Sequence, residues 1–379
     1  MSIEKIKILL VIRWPVGGIR TYIRYVYSKF NIDRYELTII APDVSETNIL
    51  LDDLCKYTVR YMPVGTNPRV IDMVKCVSNE LRKYRYDIIH SHGLTAGLCS
   101  IFGSKIYGVP HLVTIHDVFV SGQFDGWLGF LKKTIISILL PLVNVIHTVS
   151  NDAKDNLIDY LPTLKYFRNR IIPILNGIEI ERFKQAEVIN LRAQLDIDSN
   201  TFLIGFLGRF MRQKGFVYLV DAIDMLAKEY KIDKKPVIIA FGEGAFIREE
   251  MITIKQKGLN DSVYFMPFEP NIAPILKGLD VVVMPSLWEA CGLLAMESMV
   301  VGTPLVTTNC IGLREVVCDT PCRTVSIMNS KELAQAIYDE MVEPSKVVFE
   351  KYSPEAARRF DVVHHSNKIE NIINKLIEG

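Results

Sequence analysis

The chain has no Cys-x-x-Cys pair, no Gly-x-Gly-x-x-Gly run, no dense block of Lys and Arg, and no uninterrupted apolar stretch long enough to span a bilayer. Each absence removes a class of protein. The seven cysteines (55, 76, 99, 291, 310, 318 and 322) are an odd number, and Cys318 and Cys322 are four apart. No thiol redox motif results, and a reduced, cytoplasmic chain is expected. Without the glycine fingerprint, a nicotinamide dehydrogenase is disfavoured. The missing basic block argues against nucleic acid as a partner. Met1 to Lys5 lead directly into an apolar strand, so no signal peptide is expected. No short-period repeat is present, which argues against a solenoid.

What is there is a long alternation of apolar strands and helical stretches. With 379 residues, 49% of them hydrophobic, the chain can bury a substantial core and should divide in two. Strands are expected at 7–12, 37–41, 87–91, 112–116 and 144–149, and again at 202–207, 237–241, 263–266, 279–284 and 304–308. This is an α/β pattern of two doubly wound, Rossmann-like domains, with the boundary near 172–190. Net charge is +1, but residues 1–184 carry 23 Lys+Arg against 17 Asp+Glu and the remainder 21 against 26. A mildly basic first half could favour an anionic lipid surface or acceptor, although ordinary solubility is the simpler reading.

The most informative segment is PSLWEACGLLAMES, in which Glu289 and Glu297 stand eight residues apart. A buried strand precedes it, so Glu289 falls on a loop at the carboxyl end of a sheet strand, and Glu297 about two turns into the next helix. Between them, Cys291, Gly292, Leu293 and Leu294 would offer backbone N–H groups at a helix start, suited to a phosphate or a sugar hydroxyl. A solvated helix face is the plainer reading of two glutamates. Upstream, Arg209 and Lys214 follow another strand. A planar guanidinium and a compact ammonium can together hold a pyrophosphate. In the first half, Gly17 and Gly18 follow the first strand, where a missing Cβ lets a diphosphate approach the backbone. His116 ends a strand beside Asp117, either as a functional group or as a simple strand cap. His90, His92, His116 and Asp117 could alternatively form a metal site. Asp196-Ile-Asp198 reads as a helix-end loop, and His364-His365 as surface.

Taken in order, GRFMRQKG, FGEG (241–244), PSLWEACGLLAMES, Gly302-Thr-Pro and Gly312-Leu-Arg-Glu315 resemble the retaining glycosyltransferases of the GT-B fold, family 4. Pro15-Val-Gly-Gly18 and Leu175-Asn-Gly-Ile-Glu179 agree in the first half. The resemblance implies two Rossmann-like domains facing across a cleft. Residues 1–175 and a C-terminal helix at about 355–379 would form the acceptor domain, and 176–354 the donor domain. It further implies a donor that is a UDP-, GDP- or ADP-sugar, an acceptor that is a carbohydrate or lipid-linked hydroxyl, and no cofactor or metal. Arg209 and Lys214 would neutralise the leaving diphosphate, and Glu289 would hold the sugar hydroxyls. Glu297 would take the ribose, backbone near Phe268 the base, and His116 the reacting sugar. Ala290 and Cys291 depart from the Gly-Phe pair usual after the first Glu, which puts sugar selectivity in doubt. Alternatives on the same architecture are a sugar-nucleotide epimerase or phosphorylase, or a non-catalytic nucleotide-binding scaffold.

Two segments carry separate expectations. Residues 127–149 read as a buried helix followed by a strand, with a peripheral membrane contact through the N-terminal domain, at the inner membrane face, as the alternative. Ser353-Pro354 reads as a helix start, with Val363, Ile369, Ile372, Ile373 and Leu376 later marking one apolar face.

Overall fold

The computed structural model describes residues 5–379 and divides them into two compact units. One runs to Gly177 and includes Val362–Gly379; the other is Ile178–Asp361. The first unit contains β1 (Ile6–Ile12), β2 (Tyr35–Ala41), β3 (Val59–Pro63), β4 (Ile88–His92), β5 (His111–Ile115), β6 (Val145–Thr148) and β7 (Ile171–Pro173). These form one parallel sheet in the order β3-β2-β1-β4-β5-β6-β7. The second unit contains β8 (Phe202–Leu207), β9 (Pro236–Phe241), β10 (Val263–Met266), β11 (Val281–Met284), β12 (Leu305–Thr308) and β13 (Arg323–Val325). Their order, β10-β9-β8-β11-β12-β13, is again parallel and doubly wound.

Continuous apolar runs explain the central strands. Alternation of apolar and polar residues would leave one face wet, whereas Ile8 to Ile12 and Phe202 to Phe206 are buried on both faces, as a helix-covered parallel sheet requires. Order reverses at β1 in the first unit and at β8 in the second. The carboxyl ends of β1 and β4, and of β8 and β11, therefore flank the crevices where such sheets take ligands.

Three expectations are corrected. Helix Gly126–Leu139 is not buried: Ile136 alone among its residues is fully enclosed, because the helix is apolar on both faces and only one face finds a partner. No helix starts at Ser353; helix Lys346–Arg359 runs through Pro354, and Ser353 Oγ instead donates to Val300 O at 2.6 Å. The last helix, Val362–Glu378, turns His365 inward and leaves Val363 exposed. It packs on helix Gly18–Tyr27, with Ser366 Oγ donating to Val26 O at 2.8 Å and Tyr35 Oη donating to Glu370 Oε1 at 2.7 Å. Asp196 and Asp198 lie before β8, at the amino end of the sheet, where Asp198 Oδ1 accepts from Asn200 N at 2.7 Å.

Candidate active site

In the second unit, the loops after β8 and β11 are locked together by contacts that only particular residues permit. The chain leaves β8 through Gly208 and Arg209, makes a 3-10 turn at Arg212–Lys214, and enters helix Phe216–Glu229 through Gly215. Gly215 has φ +66°, and a Cβ there would lie 2.0 Å from Pro285 O, so the loop can rest on Pro285 only with glycine. Leu287 N–H donates to Gln213 O at 2.8 Å, and Gln213 Nε2 donates to Trp288 O at 2.8 Å. The consequence is a direct ion pair: Lys214 Nζ donates to Glu289 Oε1 at 2.6 Å. Ser286 Oγ donates to the same oxygen at 2.8 Å. Behind the carboxylate, Gly312 (φ +78°) leaves room where a Cβ would come within 2.1 Å of Glu289 O, and Glu289 N–H donates to Ile311 O at 3.0 Å. The Gly312-Leu-Arg-Glu315 stretch thus sets the depth of Glu289.

The helix after this loop starts at Leu293, later than the motif suggests, so Glu297 is one turn in rather than two, and it is buried. Gly292 is the N-cap and supplies no side-chain cap to the first turn. Leu293 N–H folds back onto Cys291 O at 3.0 Å, so it is engaged within the loop and is not an open donor. Gly292 and Leu294 stand on either side of it. Arg209 is exposed on the β8 loop, and Phe268 is exposed just beyond β10. Backbone bonds Gly208 N to Phe241 O (3.0 Å), Phe210 N to Glu243 O (2.9 Å) and Gly242 N to Met266 O (3.2 Å) tie the ends of β8, β9 and β10 into one rim. Ser286, Gln213 and Cys310 were not legible as neighbours of Glu289. Cys310 is buried and its thiol is pushed up to about 11 by that burial, so it stays protonated.

In the first unit, Gly17 (φ +54°) is the N-cap of helix Gly18–Tyr27, and a Cβ on either glycine would meet nothing within 4 Å. Space is therefore open in front of this helix start. His116, just past β5 and partly buried, lies 3.1 Å from His92 through its Nε2 and the His92 Nδ1, and the rings of Tyr22 and His116 meet in a T-shaped arrangement with centroids 4.7 Å apart. This is one corner of an enclosed imidazole cluster. His90 is bonded to Tyr27 Oη (2.7 Å) and Thr114 Oγ1 (2.8 Å), and Thr114 Oγ1 to His147 Nδ1 (3.1 Å). His365 bridges Leu175 O (2.9 Å) and Tyr22 Oη (3.1 Å), which overturns its surface assignment. Desolvation holds all of these imidazoles far below their ordinary pKa, with His116 at about 3 and His365 at about 4. They are neutral at physiological pH. His90, His92, His116 and Asp117 do not converge as a ligand set, and among the described residues no group of three such side chains could hold a metal ion.

Residues 187–352 match the model of the glycosyl transferases group 1, and residues 16–182 that of glycosyltransferase family 4. The chain belongs to the family 4 glycosyltransferases. Among curated proteins, this glycosyltransferase is 27% identical to a D-inositol 3-phosphate glycosyltransferase of Arthrobacter sp. (strain FB24), covering 86% of this chain and 82% of the relative. It is 25% identical to the UDP-Gal:alpha-D-GlcNAc-diphosphoundecaprenol alpha-1,3-galactosyltransferase of Escherichia coli, covering 82% and 81%. Among solved structures, Anabaena HepE in complex with UDP-glucose superposes with a TM-score of 0.81 at 21% identity, covering 97% and 99%. WaaG, a glycosyltransferase involved in lipopolysaccharide biosynthesis, superposes with a TM-score of 0.71 at 15% identity, over 97% of this chain and 99% of that one. The two parallel sheets of the glycosyltransferase are those of a GT-B enzyme. It is an enzyme, a glycosyltransferase of hexosyltransferase type.

Proposed function

We propose that this glycosyltransferase moves a sugar from a nucleoside diphosphate to a hydroxyl of a carbohydrate or lipid-linked acceptor, with retention at the anomeric carbon and without a metal ion. The observation that carries the reading is the Lys214–Glu289 pair at the switch point of the second sheet. It places a cation suited to a diphosphate 2.6 Å from an acceptor suited to sugar hydroxyls. HepE's complexes with UDP and UDP-glucose, and the UDP-Gal of the galactosyltransferase, favour uridine among the UDP, GDP and ADP choices. That same relative's diphosphoundecaprenol substrate favours a lipid-linked acceptor.

The chemistry has two charges to manage. As the bond between the anomeric carbon and the phosphate oxygen breaks, its electrons pass to the phosphate and positive charge builds on the sugar ring. Lys214 and Arg209 neutralise the departing diphosphate where a metal would otherwise serve, and the backbone at Gly292 and Leu294 adds the positive end of a helix. When the phosphate arrives, Lys214 exchanges part of its bond to Glu289, and Glu289 turns the released capacity to sugar hydroxyls. Glu297 takes the ribose and the backbone beside Phe268 the base. In the first unit, Gly17 and Gly18 leave the backbone of a helix start open to a phosphate. His116, neutral in its desolvated setting, donates or accepts a hydrogen bond at the sugar and does not act as a fixed cation. The acceptor oxygen bonds to the anomeric carbon on the face the phosphate leaves, and its proton passes to that phosphate oxygen.

Thermal shift with UDP, GDP and ADP in the presence of EDTA tests the donor site. One of them should raise the melting temperature by about 5–10 °C at a hundredfold excess over its Kd. Lys214→Ala and Glu297→Ala should each remove the shift. An unchanged shift in both variants, or a shift that appears only with added Mg²⁺, contradicts the site. NMR of the product's anomeric proton reads retention directly.

A further inference from the structure

Helix Gly126–Leu139 turns an unusual face to water. Leu128, Leu131, Ile135 and Ile138, continued by Leu142 in the 3-10 turn that follows, recur at spacings of three and four and are between 41 and 78% exposed. They form one apolar stripe. Trp127 and Phe130 flank it, both exposed and stacked with centroids 6.4 Å apart. An exposed stripe of this extent is a binding surface rather than scatter.

The charges carried by the helix and by the segment fastened to it have one sign. The 3-10 segment Pro162–Arg170 is fastened alongside, with Thr163 Oγ1 donating to Ser137 O at 3.2 Å and Arg170 Nη1 to Pro141 O at 3.3 Å. It carries Lys165, Arg168 and Arg170 and the exposed Tyr166, while the helix carries Lys132 and Lys133. Every charged side chain in residues 126–142 and 162–170 is therefore basic. Asp125 precedes the helix, and Asp155 reaches Arg168 only at 3.9 Å, with both side chains largely exposed.

We infer that this face is where the protein rests on an anionic phospholipid bilayer, its apolar stripe in the acyl boundary and its cations among the phosphates. Apolar side chains give depth, Trp127 suits the interface, and the Lys and Arg side chains give selectivity for anionic headgroups. Charge also decides between occupants. A second copy docked by two-fold symmetry would bring the same basic rim against itself, whereas an anionic membrane complements it. No helix among the described residues is long and apolar enough to cross a membrane, so the contact is peripheral. The inference supplies the proposed lipid-linked acceptor with a surface on which to be met, but the binding itself involves no sugar chemistry.

Vesicle flotation without nucleotide or acceptor tests it and leaves the transfer reaction aside. The full chain should float with phosphatidylcholine vesicles containing phosphatidylglycerol, much less with phosphatidylcholine alone, and less at high salt. Lys132→Glu/Lys133→Glu should weaken binding roughly tenfold or more. Leu128→Ser/Leu131→Ser/Ile135→Ser should abolish it while the UDP-induced thermal shift, if the wild type shows one, and the far-UV spectrum stay intact. No flotation, equal binding to both vesicle types, or full binding by the serine variant overturns the inference. So does a dimer in light scattering that the serine variant dissolves while the wild type ignores vesicles. A protein that floats as described but lacks transferase activity would leave the membrane contact standing and refute the reaction.

Discussion

Mild acid should destabilise the first unit and spare the second. Of the seven histidines, His90, His92, His111, His147 and His365 are buried in the first unit and His116 is partly buried there, whereas residues 178–361 contain none. Desolvation holds each below its ordinary value of 6.5, to about 3 for His111 and His116 and about 4 for His365, with neighbouring imidazoles adding to the effect in most of them. Their hydrogen-bond partners are mainly Tyr22, Tyr27, Ser91 and Thr114, which offer no negative charge to compensate a proton. Below pH 6.5 the unfolded chain binds protons that the folded chain refuses, so stability falls as pH falls. The loss begins near 6.5 and is complete only below the folded values. Between pH 7.5 and 5.5 each such imidazole costs about 1 kcal/mol or slightly more, and the six together about 6–8 kcal/mol, comparable to the whole stability of a domain. For a unit of this size that is a fall of about 20 °C in melting temperature. In the second unit Glu250, raised by burial to about 7, acts in the opposite sense, because the folded state takes up its proton first. Calorimetry at the two pH values, with hydrogen exchange resolved by peptide, checks the assignment. A first-unit transition that moves by less than about 5 °C, or loss of protection in both units together, refutes the reasoning.

Other outcomes follow from single contacts. Lys214→Met should lower kcat by about a hundredfold or more through the loss of charge at the leaving group, measured by nucleotide release; a change in KM alone would confine the lysine to ground-state binding. Gly312→Ala forces a Cβ to within 2.1 Å of Glu289 O at a φ of +78° and should cost about 1–3 kcal/mol, so a variant that melts with the wild type contradicts the tight seat of Glu289. Ser286→Ala removes a 2.8 Å bond to Glu289 and should cost about 1 kcal/mol of stability while weakening sugar selection more than nucleotide affinity. His116→Gln should reduce kcat and leave the nucleotide-induced thermal shift unchanged; loss of that shift would assign it to donor binding instead.

The central strands and the two switch points were readable because uninterrupted apolar runs such as Ile8–Ile12 and Val281–Met284 leave few alternatives. Three of the four edge strands were not, β10 at 263–266 being the exception. β3 is half-exposed and contains Arg60 and Tyr61, β7 is three residues ending in Pro173, and β13 begins with Arg323, so none has an apolar run to announce it. Helix Gly126–Leu139 misled because composition records how apolar a helix is and not how many of its faces are covered. At the candidate site, strand ends and loop glycines located Arg209, Lys214 and Glu289. The contact between Lys214 and Glu289, 75 residues apart, depends on Gly215 fitting against Pro285, which only coordinates reveal. The histidine cluster was legible only in part: His90, His92 and His116 end neighbouring strands, whereas nothing in the sequence tied His147 and His365 to them, since a buried imidazole and an exposed one look alike in a string of letters.

The chain leaves its first unit after Gly177 and re-enters it at Val362, and Ile178 N–H donates to Phe360 O at 2.8 Å where the two crossings meet. A ribosome therefore delivers all of the second unit before it delivers the helix that covers Tyr22 and Tyr35. The half made first is the half finished last, and until that helix emerges its polar interior waits for His365, Ser366 and Glu370. A nascent chain cut after Asp361 would carry a crippled opening domain beside a whole later one.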